Sequence, residues 1–385
     1  MMLLVEGQRR TLLRTYRYRL YPTTQQRLAL DGQLAFACEL YNAALEQRRD
    51  AWRRQQRSIS YLAQCRDLTE LRAAHMGPAG MNCHAMRDPL RRLDRAFVAF
   101  FRRVNSGEQP GYPRFRCRRR YDSLTWTWGD GSTLRDRRLV LQGIGHLKVR
   151  WHRPLPGDAV LRTVTVCRRA GRWHVGIALE RPKPASLPGT AQSVGLDLGI
   201  STFAALSTGE QLVGPRVLRA ARRRLRLAQR RVARRLLGSN RRRKAGLLVA
   251  RLHERVRYVR RDHAFKLAND LVRRFDVIYV EALHLKGLAR SRLARDVQDQ
   301  GWGAFLTILT DKAEEAGRSV IALDARNTSQ QCSACGALVP KPLGERQHRC
   351  ACGYQADRDV NAARNLLRLG ESRQASTWPT GACVA

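Results

Sequence analysis

The chain has 385 residues, with 72 lysines and arginines against 32 aspartates and glutamates, a formal net charge of +40. A charge of that size repels itself in a compact fold and points to a polyanionic partner, with arginine, far commoner here than lysine, gripping phosphate oxygens in pairs. No run of about 20 apolar residues exists to span a membrane, and the N-terminus MMLLVEGQRRTLL lacks the apolar core of a signal peptide, so a cytoplasmic protein with two or three cores is expected.

In chain order, Leu12–Thr24 alternates large and basic residues like a strand and ends at Pro22. A helical period follows, with Leu30, Leu34, Ala37, Leu40 and Tyr41 on one face. A second helical block sets Leu90, Leu93, Phe97 and Phe101 on a stripe among arginines. Residues 20–105 therefore read as a small helical domain whose arginine faces could carry nucleic acid. Beyond it the period changes to two. RRLVLQGIGHLKVRW, VLRTVTVCRR and RWHVGIALERP are short strands parted by turn residues, as in a small antiparallel barrel. The interleaved run RFRCRRRY fits nucleic-acid contact and a solvated strand edge equally well.

RPKPASLPGTAQ is a linker, and SVGLDLGISTFAALSTGEQLV reads as two strands around a turn. Residues 216–275 form a very basic helical region interrupted near Gly238–Asn240, with Leu248, Leu252, Val256, Val259, Leu267 and Leu271 on one face. The strand DVIYVEAL, a helix through GWGAFLTILTDKAEEAG, the strand SVIALDA, a cysteine cluster and a last helix complete the chain. Gly370 reads as that helix's C-cap, and the residues after it read as disordered.

Three acids sit where an element ends against apolar neighbours: Asp197 in SVGLDLGI, Glu281 in VIYVEAL, and Asp359, with Asp357 close by, at the start of the last helix. An unpaired buried carboxylate costs several kcal/mol, so acids in two apolar strands and at a helix start point to one shared site. Divalent cations, Mg²⁺ or Mn²⁺, would reconcile them, and a pair of ions about 3.5–4 Å apart suits phosphoryl displacement. An α/β sheet bearing such acids is a nuclease core. Asp357 and Asp359 are each also candidate helix caps.

Of the ten cysteines, six are scattered and four are bunched: Cys332, Cys335, Cys350 and Cys352. The spacing Cys-x2-Cys, fourteen residues, Cys-x-Cys reads as a structural Zn²⁺ ribbon rather than a disulfide framework. The tight second pair leaves His348 as an alternative ligand.

These motifs resemble, in order and over nearly the whole chain, those of the TnpB (OrfB-type) insertion-sequence proteins, relatives of the type V CRISPR effectors. VGLDLGI, IYVEALHLKGL and DRDVNAARNLL look like the family's three RuvC motifs, and NTSQQCSACG with RCACGYQADRD looks like its zinc insert. The resemblance implies an RNA-guided DNA endonuclease with a guide RNA from the element end, double-stranded target DNA beside a short adjacent motif, and a separate recombinase for mobility. It implies Asp197, Glu281 and Asp359 as Mg²⁺ ligands and catalytic acids, Asp357 as a cap or supporting group, and the four cysteines as zinc ligands. The fold it implies is multi-domain α/β and β: an RNase H-like RuvC core with a zinc-ribbon insert, an N-terminal helical domain and a wedge-like antiparallel barrel. The expected boundaries are residues 1–19 for the first part of the wedge, 20–110 for the helical domain, 111–185 for the wedge return, 186–325 for the nuclease core, 326–356 for the ribbon, 357–370 for the third motif and 371–385 for a disordered tail. A nuclease-inactive RNA-guided repressor and a DNA-binding accessory to transposition are the alternatives.

Overall fold

The computed structural model describes residues 11–74, 77–288, 294–324, 327–342 and 344–377. They divide into two compact units, Met1–Lys183 and Pro184–Ala385.

The first unit opens with strand β1 (Thr11–Tyr21), then helices α1 (Thr24–Gln55), α2 (Tyr61–Ala73) and α3 (Cys83–Asn105). Thr23 starts α1 with a reciprocal cap: its hydroxyl accepts the Gln26 N–H at 3.3 Å, and the Gln26 side chain accepts the Thr23 N–H at 3.0 Å. On α3, Leu90 and Leu93 are buried and Phe97 is half-buried, but Phe101, expected on the same core stripe, is 56% exposed. The helix runs past the core there, and Phe97, Phe100, Phe101 and Tyr112 pack on one another instead.

Strands β2 (Ser123–Thr127), β3 (Ser132–Arg135), β4 (Arg138–Leu141), β5 (Gly145–Arg150), β6 (Val160–Arg169) and β7 (Arg172–Pro182) join β1 in one antiparallel sheet, ordered β2-β6-β7-β1-β5-β4-β3. The first described strand thus lies near the middle of the sheet, paired from Thr11↔Pro182 to Leu20↔Trp173. The edge strands β2 and β3 are separated in sequence by only Trp128–Gly131, so the sheet curls until its edges meet at that turn. Helices and sheet share one core, in which Tyr41 and Leu45 from α1 join Trp126, Leu139 and Ile177. The run RFRCRRRY is neither strand nor sheet edge. It lies along α1, where the Asn42 amide holds Arg116 through both backbone groups (2.9 and 2.7 Å) and Arg116 covers the Tyr41 ring.

The second unit contains β8 (Ser193–Asp197), β9 (Ala204–Leu206), β10 (Gln211–Leu212), α4 (Val217–Ala233), α5 (Asn240–Arg274), β11 (Val277–Glu281), α6 (Leu285–Leu288), α7 (Ala294–Gln300), α8 (Trp302–Ala316), β12 (Ser319–Leu323), β13 (Gln347–Arg349), β14 (Gln355–Asp357) and α9 (Arg358–Thr377). Its main sheet runs β10-β9-β8-β11-β12; β8, β11 and β12 are parallel, and β9 and β10 fold back antiparallel. Where the sequence suggested two strands around a turn, the chain forms three.

Side-chain alternation divides this sheet between two layers. Val194, Leu196, Ile278 and Val280 pack with Ala264, Leu267 and Leu271 of α5 and with Phe305 and Leu309 of α8. Tyr279 and Leu323 point the other way, against Leu366 of α9. On α5 the expected apolar face is only partly covered: Val256, Leu267 and Leu271 are buried, while Leu248 and Val259 are exposed.

Two glycines set how closely α9 lies on the sheet. A Cβ on Gly195 of β8 would stand 1.9 Å from the Ala363 carbonyl oxygen, and one on Gly370 would stand 2.2 Å from the Tyr279 ring. Gly370 therefore does not cap the helix. The helix passes through it to Thr377, because its missing side chain makes room for Tyr279 rather than for a turn. Residues 371–377, expected in a disordered tail, are helical; the rest of that tail lies outside the described residues.

Candidate active site and metal centre

The period-2 alternation that seats α9 also aims the acids. Gly195 and Tyr279 are paired across β8 and β11 and both face α9. Two residues further on, at the C-terminal ends of these parallel strands, are Asp197 and Glu281, which share that face. Along α9, Asp359, Ala363, Leu366 and Gly370 follow helical spacing on the stripe that meets the sheet, so Asp359 comes down one turn ahead of Ala363. A Cβ on Gly199 would lie 3.1 Å from the Asp359 carboxylate oxygen, which places that acid beside the loop leaving Asp197.

The electrostatics record the crowding. Burial, then the charges of Asp359 and Glu281, push the Asp197 carboxyl up to about 8, against a smaller opposing pull from Arg358. Burial and Asp324 raise Glu281. Burial and Asp357 raise Asp359, opposed by Arg346, whose guanidinium is 3.8 Å away, and by Arg358. Asp324 was not foreseen from sequence; it directly follows Leu323, the residue paired with Glu281.

Asp357 has a different job. Its Oδ1 accepts the backbone N–H of Asp359 (2.9 Å) and of Val360 (3.3 Å), so it caps α9 and leaves the Asp359 carboxylate turned to the other acids.

The four clustered cysteines come together: every sulfur lies within 4.8 Å of the others, with Cys332–Cys352 at 3.8 Å and Cys335–Cys350 at 3.6 Å. Tetrahedral zinc with bonds of about 2.3 Å needs sulfurs about 3.8 Å apart, so the quartet fits the ion. Burial opposes ionisation of Cys332, but the N–H groups of Cys335 and Ala334, with His348, hold its thiol down at about 6. His348 stands outside the quartet, fully buried, with Nδ1 hydrogen-bonded to Lys341. Among the described residues this quartet is the group of ligand atoms so tightly closed. The acids are spread more widely, as carboxylates shared between two ions about 4 Å apart can be.

Two buried asparagines connect the cysteine knuckle to α9. Asn361 accepts the Ser333 N–H at 3.0 Å and donates to the Gln331 carbonyl at 2.8 Å, and Asn365 donates to the Thr328 and Gln331 carbonyls at 2.8 and 2.6 Å. Four residues apart, both lie on one buried face of the helix, and the segment 328–333 is thereby anchored to the helix that carries Asp359.

A cleft of about 1250 Å³ begins at Ile200 and Ser201, just past Asp197, and at Arg346 beside Asp359; Arg219, Arg222 and Arg226 of α4 line it. Asp299 of α7 braces that wall. Its carboxylate accepts the Leu218 and Arg219 N–H groups at 2.9 and 3.0 Å and pairs with Arg260 of α5 at 2.7 Å. Nothing in the sequence pattern singled out Asp299, since its partners are about 40 and 80 residues away.

Among known proteins, the chain matches three family models: "Probable transposase" (IS605 OrfB) over residues 176–292, "Cas12f1-like, TNB domain" over 302–366, and "Helix-turn-helix domain" over 12–57. A Streptomyces pristinaespiralis protein named "Putative RNA-guided DNA endonuclease" is 36% identical over 370 residues, covering 93% of this chain and 89% of its own. Escherichia coli K12 InsQ, of the same description, is 27% identical over 385 residues, covering 94% and 93%. In fold, the chain resembles Cas12f1 from its complex with guide RNA and target DNA (TM-score 0.61, 13% identity, 93% of this chain and 99% of that one). It also resembles the miniature endonuclease Cas-phi3 (TM-score 0.50, 9% identity, 93% and 92%). With a relative this similar along nearly its whole length, the chain belongs to the IS605 OrfB family of TnpB-like proteins.

Proposed function

We propose that the protein is an RNA-guided DNA endonuclease, binding a guide RNA from its element's end and cutting target DNA beside a short adjacent motif at a RuvC-type site formed by Asp197, Glu281 and Asp359. The observation that carries this reading is the shared face: Asp197 and Glu281 at the ends of paired parallel strands, and Asp359 on the helix stripe laid over them. The order β10-β9-β8-β11-β12, an antiparallel meander followed by two parallel strands, supports an RNase H-like core. The net charge of +40 supports polyanionic partners held by shape and backbone while base pairing reads the sequence.

In this reading the three carboxylates hold divalent ions, Mg²⁺ in the cell, which would supply an activated water and stabilise the departing 3′ oxygen. Asp197, pushed up to about 8 by burial and its acidic neighbours, would be held as a carboxylate by such an ion. Asp357 fixes the first turn of α9 and so the direction of Asp359. Arg219, Arg222 and Arg226 draw the strand's phosphates along the cleft toward the acids. The cysteine quartet would hold zinc in a structural role, with all four positions filled by thiolates.

The test uses the protein purified with its co-expressed RNA and a duplex carrying the matching sequence, with and without Mg²⁺. Guide-dependent cutting is expected in Mg²⁺ alone, abolished by Asp197→Ala, Glu281→Ala or Asp359→Ala while RNA stays bound. Guide-dependent DNA binding with no product under Mg²⁺ or Mn²⁺ would instead leave a repressor.

A further inference from the structure

Between α4 and α5 the chain turns through Arg234–Ser239, a tip the cleavage reading leaves unused. Leu236 and Leu237 stand there 81% and 76% exposed, the two most exposed large apolar side chains among the described residues. From Arg230 to Lys244 eight of fifteen residues are arginine or lysine and none is acidic.

The turn is fixed. The Ser239 N–H donates to the Leu236 carbonyl at 3.2 Å, and Gly238 at φ +83 takes the third position of a type II turn, where a left-handed residue is required. Ser239 then caps α5 through the Arg242 N–H at 3.1 Å, and the Arg242 guanidinium holds the Arg235 carbonyl at 2.9 Å. Both leucines are left largely in solvent by this turn, within a segment whose charged residues are all basic.

A single exposed leucine needs no explanation. An adjacent pair on a hydrogen-bonded turn, flanked by arginines that make no ion pair among the described residues, calls for a partner that is apolar inside and anionic outside. A nucleic-acid duplex has that composition, with phosphates for the arginines and stacked bases for the leucines. Leucine has no π face, so it is a poor platform for the bases of a single strand. Aliphatic wedges act at base steps of B-form DNA, entering the minor groove and partly unstacking it, whereas A-form RNA is recognised across its minor groove through hydroxyls and phosphates.

We infer that the α4–α5 tip is a duplex-DNA wedge in which Leu236 and Leu237 enter a base step while the surrounding arginines hold the two backbones. This extends the proposed function, resting on it only in naming the target duplex, since guide pairing requires local opening of the DNA.

The experiment uses the full protein–RNA complex and target duplexes carrying 2-aminopurine at successive positions. Wild type should raise the fluorescence at one step. A Leu236→Ser/Leu237→Ser variant should lose that rise while duplex affinity falls less than about threefold, the arginines being intact. A Leu236→Met/Leu237→Met variant should keep it. The serine variant should also cut a fully paired target about tenfold more slowly and a target with a preformed bubble at the wild-type rate. The inference is overturned if the serine variant unstacks DNA like wild type, if it slows equally on both targets, or if crosslinking from the tip labels the RNA rather than the DNA. Should even wild type fail to cut, the endonuclease reading falls, and the fluorescence still decides the wedge.

Discussion

Asp197→Asn should stabilise this protein while destroying its proposed activity. In the folded chain, burial and the neighbouring acids push the Asp197 carboxyl from an ordinary 3.8 up to about 8. A raised carboxyl contributes its stability below about pH 4 and loses it progressively as pH climbs to about 8. The full displacement corresponds to several kcal/mol at about 1.4 kcal/mol per pH unit. Asp197 keeps some access to solvent, so a discounted figure of roughly 2 kcal/mol is the working expectation. The amide carries no charge and escapes this cost, which for a unit of this size amounts to about 4–8 °C in melting temperature. The assay is thermal unfolding of both proteins from pH 4 to 8.5, with stoichiometric zinc and no other divalent ion. The difference should be near zero at pH 4 and reach its full size by pH 8. Millimolar Mg²⁺ should then raise the wild-type transition and leave that of the variant unmoved. A variant no more stable than wild type at pH 8, or an advantage independent of pH, would refute the claim that the three acids crowd one another.

Three further outcomes follow from the same geometry. Cys332→Ser should lower bound zinc well below one equivalent by atomic absorption and destabilise the second unit, because the quartet loses a ligand that its surroundings favour as thiolate. Gly195→Ala should cost about 3 kcal/mol or more in urea unfolding and sharply reduce cutting with zinc retained, since its methyl group meets the α9 backbone at 1.9 Å. Asp357→Ala should cost about 1 kcal/mol as a lost cap and slow cutting without abolishing it, in contrast to Asp359→Ala, which should leave no activity in the same gel assay.

Much of this protein could be read locally. Charge, the apolar strands ending in Asp197 and Glu281, and the cysteine spacing are properties of short segments, and periodicity located β1, α1, α5, β11, α8 and β12 because their burial repeats within a few residues. The third acid was separable from its neighbour in sequence only through resemblance; the hydrogen bonds of Asp357 to the first turn of α9 supply the physical distinction. Gly370 misled because a glycine near a helix end usually means a cap, and only packing against Tyr279, some 90 residues earlier in the chain, explains its place inside the helix. Phe101 misled for a related reason: a periodic stripe does not say where the core beneath it stops. Composition and pattern determined the elements, the basic character and the candidate ligands. Tertiary structure alone decided that β9 and β10 fold back beside β8, that Asn361 and Asn365 lock the cysteine knuckle to α9, and that Asp299 braces the arginine wall, because each depends on groups far apart in the chain meeting across a packed interface.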